Sequence, residues 1–124
     1  MSKIVKAINV MVSNPERITG VIKGGYETEC FFIYDGKHPW SILKRDDGHY
    51  YMAYYPGGQD IYELSKISSD DWHYASILCV TYTSQELGTK EAIESMAELY
   101  NIVNQKLYGM DDVLDDIINS DELF

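Results

Sequence analysis

Apolar and polar positions change their period along this chain. From residue 26 to residue 83 the sequence is cut into strand-length runs rich in Tyr, Phe, Ile and Trp. Turn signals separate them: Gly24-Gly25, Asp35-Gly36, Asp46-Asp47-Gly48 and Pro56-Gly57-Gly58. That spacing predicts an antiparallel meander with strands at 26–35, 38–45, 49–55 and 60–67. A fifth run at 74–83, YASILCVTYT, is more uniformly apolar and predicts a central strand. Asp35-Gly36 can supply the positive φ angles of a tight hairpin turn. Pro39 falls at the start of its strand, where a missing amide donor is tolerated.

The C-terminal third has a helical period. Between 89 and 108, Ala92, Ile93, Met96, Leu99, Tyr100, Val103 and Leu107 recur at three- and four-residue spacing. Thr89 is a suitable N-cap, Glu91 and Glu94 suit the positive end of the helix dipole, and Gly109 suits a C-cap. Residues 111–119, DDVLDDIIN, then alternate acidic and apolar pairs. Wound as a helix, they set Val113, Leu114, Ile117 and Ile118 on one face and Asp111, Asp112, Asp115 and Asp116 on the other.

The first 24 residues are ambiguous. Ile4, Val5, Ile8, Met11 and Val12 fit a helix face, yet the stretch is also rich in β-branched residues. The helical reading is adopted for residues 3–12. Ser13-Asn14-Pro15-Glu16 resembles a capping box, which predicts a second short helix ending at Gly24-Gly25. Short N-terminal helices, a five-strand meander over about 26–83 and a long C-terminal amphipathic helix packed on one sheet face make an α+β fold. The 124 residues fit a single domain, with 111–124 as its acidic C-terminal segment.

Charge adds a partner class to this picture. The formal net charge is −10, distributed unevenly. Residues 1–24 carry a net +3, whereas 84–124 carry −8, and 111–124 hold six acids and no base. Such a field repels nucleic acid and anionic membrane and attracts a basic protein. The N-terminus lacks a small-residue cleavage site, and no apolar run approaches the ~20 residues of a membrane span, so a cytoplasmic protein is expected. Cys30 and Cys79 sit in apolar runs and are expected as reduced, buried thiols.

Motifs for chemistry are absent. His38, His49 and His73 lack zinc-ligand spacing, although His38 and His49 would be neighbours if their strands pair, since each begins a strand next to a turn. Residues 111–122 lack the alternating ligands and central glycine of a calcium loop. No nucleophile elbow, phosphate loop or dinucleotide fingerprint occurs. No catalytic residue, metal or cofactor is therefore assigned, and the chain is not expected to be an enzyme.

Tyrosine is over-represented, with eleven against three Phe and two Trp. In residues 49–56, HYYMAYYP, alternation separates Tyr50, Met52 and Tyr54 from Tyr51, Ala53 and Tyr55. If the first set faces the long helix, the second shows an aromatic patch of Tyr51 and Tyr55, joined by Trp40 or Ile42 from the neighbouring strand.

Two functions follow as expectations. The first is a small acidic inhibitor or neutraliser, of the immunity or anti-defence type, that blocks a basic, nucleic-acid-processing protein. Asp111, Asp112, Asp115 and Asp116 would mimic phosphates, with Tyr51, Tyr55 and Trp40 as anchors. The alternative is an oligomeric binder of a nucleotide-like or aromatic small molecule, using Tyr51, Tyr55 and Trp40 with Lys44 and Arg45.

Overall fold

The computed structural model describes residues 2–58, 60–67 and 77–121. Its first helix, α1, runs Lys3–Ser13 and is capped by the Ser2 side chain, which accepts from the Val5 amide. It buries Val5, Ile8 and Met11, so the helical reading of 3–12 holds. Asn14 ends the helix: its side-chain amide donates to the Val10 carbonyl. Of the residues that resembled a capping box, Ser13 and Asn14 therefore close α1, and Pro15 and Glu16 open a single 3-10 turn, Pro15–Arg17.

The predicted second helix is a strand, β1, Ile18–Lys23. It pairs antiparallel with β2, Cys30–Tyr34, and the register slips between Thr19 and Ile22. Gly20 lies in that slip at φ +64, the left-handed conformation that a bulge demands and glycine supplies. The extra residue places Ile18 and Val21 against one core and Ile22 against the other. Their i, i+3, i+4 spacing is thus produced by a bulged strand.

The central hairpins follow the sequence closely. β3 spans His38–Lys44 and β4 spans Tyr50–Tyr54. Asp35 and Gly36 take φ of 56 and 69 at the turn between β2 and β3. Residues 60–67, read as a strand, instead contain a short helix, α2, Ile61–Ser65. Asp60 caps it by accepting from the Tyr62 amide, and Ile61 and Leu64 are buried. The last strand, β5, is only Val80–Thr83. It pairs with β4 at the sheet edge rather than lying centrally; residues 68–76, including His73, fall outside the described set.

The sheet is a five-stranded antiparallel meander in the order β1-β2-β3-β4-β5. After it come a four-residue helix α3, Ser84–Leu87, the long helix α4, Lys90–Leu107, and α5, Met110–Ser120. Thr89 caps α4 by accepting from the Ala92 amide. Gly109, at φ 62, makes the break between α4 and α5.

Two cores flank the sheet. Met96, Leu99 and Val103 of α4 pack with Ile8 and Met11 of α1 onto Phe32, Trp40, Ile42 and Met52. The two helices are also joined by a hydrogen bond from the Ser95 hydroxyl to the Asn9 side chain, 2.7 Å. The opposite face carries a smaller core in which Ile61 and Leu64 of α2 cover Phe31, Ala53 and Tyr55. No described helix is long and apolar enough to cross a membrane.

Candidate functional site

Register decides which predicted site residues meet. Trp40 pairs with Tyr54, and Ile42 with Met52, so Trp40 lies on the α4 side of the sheet. There it is buried, edge-on to Tyr54 at a ring separation of 5.0 Å, with Tyr82 at 6.4 Å. Tyr51 and Tyr55 lie on the other face, where Tyr55 is buried and Tyr51 half-buried. The expected patch of Trp40, Tyr51 and Tyr55 therefore does not form; the sheet itself separates its members.

Tyr51 and Tyr55 instead line a cleft of about 490 Å³. Tyr26 and Glu29 from the β1–β2 connection also line it, and Arg45 and Cys79 complete its rim. Arg45 was expected there; Lys44 is not among the lining residues. The tyrosines are held at their hydroxyls. That of Tyr55 lies 2.7 Å from the buried Ser41 hydroxyl, and that of Tyr51 bonds the Thr81 side chain. Burial pushes both phenols above their ordinary range.

Glu29 was missed in the sequence. Only 3% exposed, it accepts a 3.1 Å hydrogen bond from the Gly25 amide and another from the Tyr26 backbone. Gly24 makes this possible, since a Cβ there would sit 2.3 Å from the Glu29 carboxylate. Burial raises the carboxyl above the usual glutamate range, against those backbone donors and the charge of Lys23. The readable signal was an acid one residue before an apolar strand, four after the Gly24-Gly25 pair.

The four candidate aspartates, Asp111, Asp112, Asp115 and Asp116, all lie exposed on α5. The apolar face of the same helix is also open: Val113, Leu114, Ile117 and Ile118 are 44–63% exposed. α5 buries no residue, and its main contact is with α4. Beside its first turn runs a groove of about 840 Å³ between β1 and the α4–α5 elbow. Ile18, Thr19, Ile102 and Lys106 line it, with Asp111 and Asp112 at the α5 end.

Other polar groups are structural pins. The Ser84 hydroxyl accepts the Tyr50 amide at 2.9 Å and lies 2.8 Å from His49 Nδ1. Ser84 is buried, and among the described residues no carboxylate meets the His49 ring, so a nucleophile–base–orienter set is not formed. His38 and His49 sit at opposite ends of the β3–β4 hairpin and are not neighbours. Cys30 and Cys79 are free thiols on opposite faces of the sheet. Burial raises the Cys30 thiol; Cys79 is only half-buried. Among the described residues no group of three His, Cys, Asp or Glu side chains is placed to hold a metal.

Comparison with known proteins adds no relative: no protein-family model, no curated protein and no solved structure matches the chain.

Proposed function

We propose that this protein binds a basic protein partner through α5 and acts as an inhibitor or neutraliser of it. One observation carries the reading. α5 is a formed helix whose four aliphatic side chains stay 44–63% exposed while its other face is a row of carboxylates. Fully burying one aliphatic side chain contributes roughly 1.5–3 kcal/mol, so a groove that closes over all four gains on the order of several kcal/mol. The carboxylates specify what must rim that groove. Lys and Arg side chains of the kind that hold phosphates are complementary in charge to such a row of carboxylates.

A second copy of the chain is a poor occupant of the same face. Each copy carries −10, so pairing two α5 helices brings like fields together. A basic partner is instead drawn in, with association accelerated about 10- to 1,000-fold at low salt. The groove beside β1 extends the contact, because Asp111 and Asp112 belong to both surfaces. Trp40 lies on the opposite face of the sheet from Tyr51 and Tyr55, so these three do not form one anchor patch beside α5.

The test is native mass spectrometry of the protein taken from a host-like lysate, before and after a high-salt wash. A basic protein released by salt is expected, and it should be lost from an Ile117→Ser/Ile118→Ser variant. Replacing Asp111, Asp112, Asp115 and Asp116 by Asn should slow association with that protein and flatten its salt dependence. A partner that both variants retain would sink the assignment to α5.

A second reading, small-molecule binding, is favoured by the cleft that gathers Tyr51, Tyr55 and Arg45. It does not depend on α5.

A further inference from the structure

The cleft has a chemistry of its own. It is lined by three tyrosines, Tyr26, Tyr51 and Tyr55, together with Leu43 and Ala53. Among the described residues its one buried charged group is Glu29. Among the described residues Glu29 has no ion-pair partner; the ion pairs are Arg45–Asp47 and Lys90–Glu94. Lys23, the nearest influence of opposite charge, is engaged with the carbonyls of Tyr26 and Glu27. A carboxylate has about four acceptor positions, and two backbone amides leave capacity for a further donor.

An electron-rich aromatic wall and a buried carboxylate both favour a cation and disfavour an anion. Arg45, which also lines the cleft, has its guanidinium paired with Asp47 at 3.0 Å and with the Gln85 side chain at 3.3 Å. The nucleotide-like ligand suggested by the sequence would bring phosphate against Glu29 and a −10 background. We propose that this cleft binds a small organic cation, an alkylammonium group seated among Tyr26, Tyr51 and Tyr55 with Glu29 as its counter-ion. The proposal rests on the second reading above, that the cleft is a ligand site, and names the ligand class. The ammonium can come from a free small molecule or from a methylated lysine side chain, and the chemistry of recognition is the same.

Calorimetric titration of the intact protein with choline and with its neutral carbon isostere, 3,3-dimethylbutan-1-ol, tests it. Choline should bind at least tenfold more tightly, and Glu29→Gln should erase most of that preference. Because Glu29 also caps the β1–β2 connection, Tyr51→Leu provides a second variant at a half-buried position. It should weaken choline severalfold while the circular dichroism spectrum stays unchanged. A trimethyllysine peptide titrated in parallel separates the sources, tighter peptide binding pointing to a protein side chain and tighter choline binding to a metabolite. Equal affinity for choline and its isostere would overturn the cation proposal but leave the cleft as a ligand site. Binding of neither probe would remove both.

Discussion

α4 and α5 are consecutive amphipathic helices separated by little more than Gly109, yet they end in opposite situations. α4 lays Met96, Leu99 and Val103 into the core, all fully buried. α5 has an apolar stripe of similar composition and buries none of it. Amphipathic pattern therefore says that a helix has a face to cover, not that the same chain covers it. What differs is reach. α4 crosses the sheet, where Phe32, Ile42 and Met52 wait, whereas the chain turns at Gly109 and α5 leaves that surface.

The largest effect that separates the two helices is a truncation. Leu99→Ala should destabilise the fold by about 2–5 kcal/mol, since it opens a cavity between α4 and the sheet. Ile117→Ala on α5 should change global stability by no more than about 0.5 kcal/mol, as expected of an exposed site. Urea unfolding of both variants checks the pair. A large loss from Ile117→Ala would mean that α5 is docked after all, and the binding proposal would lose its basis.

Hydrogen exchange sharpens the same contrast without mutation. An isolated helix shorter than about 12–15 residues is marginal in water, and α5 has 11 residues with no buried side chain. Its amides should exchange through local opening, orders of magnitude faster than those of Met96–Val103, which should open only with the whole fold. Protection of α5 should then rise on partner binding.

The two helices were legible beforehand; whether α5 docks on the body was not. The heptad-like spacing and the Thr89 cap mark α4, and the DD-VL-DD-II alternation marks α5. Errors arose where local chemistry mimicked another period. Ser13-Asn14-Pro15-Glu16 suggested the start of a second helix, whereas Asn14 caps the end of α1 and the chain from Ile18 is a strand bulged at Gly20. Conversely, the glycine turn at Pro56-Gly57-Gly58 suggested a hairpin and masked the Asp60 cap of α2. The cleft was half legible, because alternation alone put Tyr51 and Tyr55 together. Trp40 was misassigned because only the β3–β4 register fixes the face it shares. Glu29 and Tyr26 come from a separate connection, and nothing local to Tyr51 points to them.

A backbone change at the elbow comes next in size. Gly109 sits at φ 62, and an alanine there would adopt the left-handed conformation at a cost of roughly 1–2 kcal/mol. Gly109→Ala should either cost that much in urea unfolding or let α4 continue into α5 as one straighter helix. Far-ultraviolet circular dichroism distinguishes these outcomes by an increase in helix signal in the second case. Either outcome should weaken partner binding, because the direction in which α5 leaves the body is set at this residue.

The smallest effect isolates charge within α5. Asp111 faces Asp115, and Asp112 faces Asp116, at the i, i+4 spacing where like charges destabilise a helix by about 0.2–0.5 kcal/mol per pair. Asp115→Asn/Asp116→Asn removes both repulsions and should slow amide exchange in α5 slightly. Asp111→Asn/Asp112→Asn removes the same repulsions but also two acids in the first turn, which each contribute about 0.3–1 kcal/mol with the helix dipole. That double variant should exchange faster than the wild type. Partner association should not follow this order. Both variants lose two of the four carboxylates that attract the basic partner, so both should slow association to a similar degree at low salt and converge with wild type at high salt. If association instead tracked helix stability, the carboxylates would be tuning the conformation of α5 rather than being read by the partner.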